Sequence, residues 1–320
     1  MSDILYTKPT DFDESGGRWK KEALAIENKI YVDHIDWQEF GSLIYFYFES
    51  LNNTKIHCRF YISDNAIKMN RPTILLFHGA GSCTWDDHNI YHCLNWAKND
   101  FCVIMMDCRN QGGHSVDNNE YDFMDRSYMC RGILDKETAY DRLLYLDSYR
   151  LLNLMKNEKI EIFRDICDKE IIVAGPSQGG QLSLVCASLS DIPALCIPDI
   201  PSGCCVDKRT EGRYGKYNAF QEIIDDNPEY KEAIYKQAAY FDVQFMTDKI
   251  KCPVYSSVGT KDDVCPMEFY LEAYKHIKTK KEVVYYEGYG HGGFEEIHFP
   301  KKLDYVLKYL EGKEKWKNYI

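Results

Sequence analysis

Two textures of apolar residues divide the chain. At 43–50 (LIYFYFES) and 55–62 (KIHCRFYI) apolar and polar positions alternate or nearly so, with Ile56, Cys58, Phe60 and Ile62 on one face. The intervening NNT predicts an antiparallel hairpin. From residue 72 the apolar runs become short and continuous: PTILLFHG, FCVIMMD, EIIVAG, IPALCIPD, CPVYSSVG and KEVVYYEG. Such runs suit strands covered on both faces. Between them lie stretches with helical spacing, such as KETAYDRLLYLDSYRLLNLM, in which residues 140, 143, 144, 151, 152 and 155 fall on one side. A hairpin leading into alternating strand and helix predicts an α/β fold: a mostly parallel sheet, antiparallel at its N-terminal edge, with helices on both faces. With no internal repeat or low-complexity linker in the sequence, residues 1–320 are expected to form one domain. Residues 1–40 are expected to be an N-terminal helical arm, 203–250 an insertion over the end of the sheet, and FEEIHFPKKLDYVLKYLEG a closing amphipathic helix.

Composition narrows the function classes. A chain of 320 residues buries about three quarters of its unfolded surface, so a full core is available. The net charge of −11 argues against nucleic acid and anionic membranes as partners, because both require a basic surface. No run approaches the roughly 18 apolar residues of a membrane span. The start, MSDILYTKPTDFDESGGRWKK, lacks the basic and apolar segments of a secretory signal, so a cytoplasmic location is expected. Thirteen cysteines without a C-x-x-C pair read as reduced thiols, several of them small core hydrophobes. His88 and His92, four apart in HNIYHC, are candidate metal ligands. Without an intervening glutamate or a third ligand of clear spacing they read as a solvated helix face, so no metal is expected there.

The segment IIVAGPSQGG, 171–180, is where chemistry is expected. An apolar strand runs into Gly175 and Pro176, and Ser177 falls in the turn before a helix, QLSLVCASL. A serine held there has a strained backbone that lifts its hydroxyl above the sheet edge, and glycines at 175 and 179 let strand and helix approach closely. A hydroxyl needs a base to take its proton and an acid to orient that base. In the strand-turn-helix arrangement these follow in the order acid, then histidine, on later strand ends. Asp262 and Asp263 in SVGTKDDVCP are both candidates for the acid, and His291 in YYEGYGHGG is the candidate base. The developing oxyanion needs donors. The backbone N–H of Gln178, next to the serine, and that of Ala80, in the loop HGAG, are the candidates. Arg109 and Gln111 in DCRNQGGHS are expected to buttress neighbouring loops, with contact to substrate as the alternative.

Taken together, DCRNQGG, RGILDKETAYDRLLYLDSYR, GPSQGGQLSL, YFDVQFM, SVGTKDDVCP and GHGG resemble carbohydrate esterase family 7, the acetyl xylan esterase and cephalosporin-C deacetylase family of α/β-hydrolases. The resemblance runs from about residue 70 to the end, and more loosely through DFDESGGRW. It implies an α/β-hydrolase with Ser177 as nucleophile, His291 as base and Asp262, rather than Asp263, as the acid. It also implies a cofactor-free serine esterase that deacetylates small acetylated sugars, xylo-oligosaccharides or cephalosporin-type esters, and assembly as a homo-oligomer, commonly a hexamer. This sequence departs from the family pattern at Asn110 within Arg-Gly-Gln, at Gly292 within His-Glu, and at Ala80, where the family has tyrosine. A main-chain donor does not need the tyrosine side chain, so hydrolysis is expected to survive, with the acyl and alcohol preferences open. Hydrolysis of other acyl esters or peptides, and a non-catalytic binding scaffold, are the rival functions.

Overall fold

A computed structural model describes residues 6–117, 119–123 and 126–317. In chain order the elements are α1 (Phe12–Ala25), β1 (Ile30–Gln38), β2 (Gly41–Glu49), β3 (Lys55–Ser63), α2 (Asp64–Lys68), β4 (Thr73–Phe77), α3 (Asp87–Ala97) and β5 (Cys102–Met106). Then come α4 (Tyr140–Leu154), β6 (Ile171–Pro176), α5 (Gln178–Leu189), β7 (Pro193–Asp199), α6 (Val206–Glu211), α7 (Asn218–Asp226) and α8 (Lys231–Ala238). The chain closes with β8 (Val254–Gly259), α9 (Met267–His276), β9 (Lys281–Tyr286) and α10 (Glu295–Lys317).

The nine strands form one sheet in the order β1-β2-β3-β5-β4-β6-β7-β8-β9. Pairing is antiparallel from β1 through β3 to β5, and parallel from β5 to β9. The continuous apolar runs split by parity onto two faces, as the two-residue strand period requires. Leu75, Phe77, Ile104, Met106, Ile171 and Val173 face one core, with α4 and α5. Ile74, Leu76, Val103, Met105, Ile172 and Ala174 face the other, with α3 and α10. Among the described residues no helix is long and apolar enough to cross a membrane.

The arm expected at 1–40 is helical only in part. Residues 30–38 are the edge strand β1, paired with β2. Its alternation is interrupted by a register shift between Val32 and His34, and one flank is open to solvent, so no clean period reaches the sequence. The first five residues of that arm lie outside the described ones. Helix α4 also differs from expectation. It is buried nearly all round, including Asp141, Arg142, Asp147, Ser148 and Arg150, because α1 packs along it. Arg150 compensates by donating to the carbonyl oxygens of Ala23, Ile26, Glu27 and Glu49, which ties the arm and β2 to the helix. Between β7 and β8 the 203–250 segment folds into α6, α7 and α8 around a small core of its own, including Val206, Tyr217, Phe220, Ile223 and Tyr235.

Candidate active site

The turn between β6 and α5 consists of Ser177 alone, with φ 55° and ψ −114°. A non-glycine residue held there costs about 1–3 kcal/mol, and the surrounding bonds maintain it. The Ser177 N–H donates to the Asp199 carbonyl (2.9 Å), and its own carbonyl accepts from the N–H groups of Gln181 and Ser202 (3.0 Å each). The ends of β4, β6 and α5 meet so closely that a Cβ at Gly175 or Gly179 would overlap the Phe77 carbonyl. Glycine is required at both positions by space rather than by dihedral angle.

The loops after β8 and β9 deliver the partners. His291 Nε2 lies 3.1 Å from Ser177 Oγ, and His291 Nδ1 lies 2.8 Å from Asp262 Oδ2. Asp262 Oδ1 accepts the backbone N–H groups of Val264 (2.9 Å) and Cys265 (2.7 Å), so the carboxylate is fixed in orientation. Asp263 is exposed. Two adjacent aspartates thus differ by which one the backbone cradles. Gly292 sits at φ 111°, where a glutamate would be strained, so glycine suits this position of the loop.

Gln178 is the first residue of α5, where helix N–H groups lack an intrahelical acceptor. Among the described residues, the N–H groups of Gln178 and Ala80 donate to no protein group. The Ala80 loop is held from the side: Gly81 N–H donates to Gln111 Oε1 (2.9 Å), and His78 bridges the Gly79 carbonyl and the Cys108 N–H. Gln111 also exchanges hydrogen bonds with the Gln178 side chain and donates to Tyr140 Oη (2.7 Å). Arg109 is fully buried and paired with Asp147 (2.6 and 2.7 Å) and Asp117 (3.2 Å). Both side chains therefore buttress loops, as expected of them. Asn110 has φ 58°, a conformation asparagine tolerates better than most residues, and its Oδ1 accepts the Asp117 N–H, so asparagine can stand where the family has glycine. His88 and His92 face each other with Nε2 atoms 3.0 Å apart, but the described residues contain no group of three potential metal ligands.

Two further groups at the site carry no signal in the sequence. Cys265 Sγ is 3.9 Å from Ser177 Oγ and accepts a hydrogen bond from Arg209 Nη2 (3.2 Å), which arrives from α6 in the insertion. Burial would raise the thiol, but the Arg209 charge and a hydrogen bond with His291 outweigh it and lower it. Burial would lower the His291 imidazole, but hydrogen bonds with Asp262 and Cys265, and their charges, raise it well above its ordinary value. For Asp262, burial is outweighed by the His291 and backbone hydrogen bonds, which hold the carboxyl below the usual range. Cys265 lies within SVGTKDDVCP, yet nothing in that string signals a cation approaching from 56 residues upstream.

A nine-stranded, mostly parallel sheet, with a serine at a strand-turn-helix and an aspartate and histidine on later strand ends, defines an α/β-hydrolase. The acetyl xylan esterase (AXE1) family matches residues 5–309, and the chain belongs to that family. Among solved structures it is similar to acetyl xylan esterase 1 from Thermoanaerobacterium sp. JW/SL YS485, at 27% identity and TM-score 0.81, covering 94% of this chain and 95% of that one. The acetyl xylan esterase from Paenibacillus sp. R4 has 26% identity and TM-score 0.81, with 94% and 96% covered. Among curated proteins, acetyl esterase Axe7A of Xylanibacter ruminicola is 28% identical over 202 residues, which is 61% of this chain and 43% of that longer protein.

Gly179→Ala is expected to destabilise the protein by about 1–3 kcal/mol through overpacking against the Phe77 carbonyl. Gly17→Ala, inside α1 with nothing within 4 Å of the added Cβ, is expected to stabilise it by about 0.5–1 kcal/mol. Urea unfolding of the two variants checks the opposite signs.

Proposed function

We propose that this protein is a serine esterase that releases acetate from small acetylated sugars, such as acetylated xylo-oligosaccharides, or from cephalosporin-type acetyl esters, through an acetyl-enzyme. The observation that carries the reading is the hydrogen-bonded series Ser177, His291, Asp262. The two undonated N–H groups of Ala80 and Gln178 support it. Family membership and the names of the acetyl esterase relatives support the acetyl preference.

In this reading Ser177 Oγ attacks the ester carbonyl while His291 Nε2 accepts its proton. Asp262 holds the ring by Nδ1 and stabilises the imidazolium that forms. The carbonyl oxygen becomes an oxyanion held by the N–H groups of Ala80 and Gln178, each donor worth about 3 kcal/mol. His291 then returns the proton to the departing sugar oxygen, leaving acetyl-Ser177. Water, deprotonated by His291, attacks this ester, acetate leaves, and the hydroxyl is restored. No step needs a metal or cofactor.

Acetate release from p-nitrophenyl acetate and a panel of acetylated sugars and cephalosporin C is expected, falling by roughly 10⁴-fold or more in Ser177→Ala. Faster turnover of butyrate esters or of aminoacyl amides would move the assignment to another acyl class. Turnover unchanged in Ser177→Ala would remove the serine from the chemistry.

The pH dependence follows from His291, which must be neutral to take the proton. Its pKa is raised by Asp262 and Cys265 against burial, so activity is lost as pH falls through that raised value. The acidic limb of kcat/KM is expected above the ordinary imidazole value of about 6.5. In Cys265→Ala, where one source of the raising is removed, the limb is expected at lower pH. Initial-rate profiles of both proteins provide the check.

The same proposal includes a reducing, cytoplasmic location, supported by thirteen cysteines scattered without a C-x-x-C spacing, and a homo-oligomeric assembly. The exposed edge strand β1, with Tyr31, Val32, Ile35 and an 84% exposed Trp37, supports the assembly. Light scattering is expected to give a multiple of the 37.4 kDa chain mass, reduced in Trp37→Lys. A wild-type monomer would remove the assembly from the reading.

A further inference from the structure

Arg209 is 1% exposed and has no carboxylate in ion-pairing reach among the described residues. The other deeply buried arginines are compensated: Arg109 by Asp147 and Asp117, Arg150 by four carbonyl oxygens. In Arg209 only Nη2 is partnered, to the Val264 carbonyl (2.9 Å) and Cys265 Sγ (3.2 Å). Nε and Nη1 have no acceptor, and the Tyr217 ring lies 4.9 Å from the guanidinium carbon. A buried cation without a counter-charge is strongly disfavoured. Of the ionisable groups beside Arg209, the one hydrogen-bonded to it is the thiol of Cys265.

That sulfur stands at the mouth of the chemistry. It is 3.9 Å from Ser177 Oγ, and the imidazole that meets this hydroxyl is about a quarter exposed, with 24% of its side-chain surface accessible. A small molecule bound against Oγ therefore lies next to Sγ. Although Cys265 is buried as a residue, its exposure route is the substrate's own.

We propose that Cys265 is a modification site: a thiolate held by Arg209 that hydroperoxides oxidise to a sulfenic acid, switching the adjacent hydrolytic site off reversibly. The thiolate sulfur attacks the terminal peroxide oxygen, an S–O bond forms, the O–O bond breaks and hydroxide (alkoxide from an organic hydroperoxide) leaves, taking a proton to become water or an alcohol. Sulfur is oxidised by two electrons and the peroxide is reduced by two. The added oxygen enters the gap between Sγ and Ser177 Oγ, crowds the nucleophile and competes for His291. A small thiol reverses the step: it forms a mixed disulfide with loss of water, and a second thiol then displaces Cys265 as the free thiol. Thiolate character, rather than exposure alone, selects the site.

The test exploits Cys167, the one cysteine that is not buried. The full-length protein is treated with hydrogen peroxide in the presence of dimedone, which traps sulfenic acids, then digested and mapped by mass spectrometry. The adduct is expected on Cys265 ahead of Cys167, and Arg209→Met is expected to slow it by roughly tenfold by removing the thiolate's counter-charge. In parallel, without dimedone and after the peroxide is removed, hydrolysis of p-nitrophenyl acetate at a pH on the plateau is expected to fall by roughly tenfold or more and to return with dithiothreitol. Cys265→Ala is expected to keep its own starting rate after the same treatment. Labelling of Cys167 first, equal labelling in Arg209→Met, or equal inactivation of Cys265→Ala would each overturn the proposal. The inhibition arm rests on Ser177 as the working nucleophile, whereas the labelling arm does not, so a protein that hydrolyses no ester still shows whether Cys265 is oxidised ahead of Cys167.

Discussion

The close approach of three backbone segments, the ends of β4 and β6 and the first turn of α5, is the constraint on which the rest of the site depends. At Gly175 and Gly179 there is no room for a methyl group beside the Phe77 carbonyl. This contact sets how sharply the chain turns, and so forces Ser177 into its strained dihedral pair. Hydrogen bonds to Asp199, Ser202 and Gln181 keep it there. The strain is local, while the bonds that hold it come from β7, the loop after it and α5, so the hydroxyl's position is set by the sheet as a whole.

Around this elbow Arg109, Gln111 and Asp147 are buried in hydrogen-bonded networks. Asp147, in the middle of α4, accepts from Arg109 and from Ser50, and Arg109 reaches Asp117 and Thr54. Gln111 joins the Ala80 loop, Gln178 and Tyr140 through four hydrogen bonds. Deleting one partner from such a network leaves the others buried and unmatched, at several kcal/mol for a charge. The Ala80 loop and the first turn of α5 are thereby held in place, which is the preorganisation that the proposed oxyanion site requires.

Much of this was legible in the sequence because the signals were local. The six apolar runs correspond to β4 to β9; a strand covered on both faces, as β4, β5 and β8 are, needs no alternation and shows none, while edge strand β9 leaves Glu282 and Tyr285 exposed. The elbow was legible because glycine spacing records a steric fact. The choice between Asp262 and Asp263 was not, because it depends on which carboxylate the backbone of Val264 and Cys265 turns toward, and spacing alone carries no such information; the family resemblance supplied it. Edge strand β1 reads as part of a helical arm because its bulge and open flank erase the period. Arg209 and Cys265 are silent in the sequence because their meaning lies in contact across the fold: an arginine in a polar helical insertion reads as solvated until the structure shows it buried without a carboxylate.

The serine hangs from β6, the aspartate from β8 and the histidine from β9, and β9 lies at the margin of the sheet with β8 as its one neighbour. Their ladder matches Val254 with Lys281 and runs to Gly259 with Tyr286, five residues short of His291. Sliding this outermost strand by a single residue would carry the imidazole about 3.3 Å along the strand axis, farther than either of its hydrogen bonds could stretch. In the proposed mechanism the registration of a border strand is therefore itself a component of the catalytic apparatus, and whatever clamps that border sets the tolerance of the chemistry.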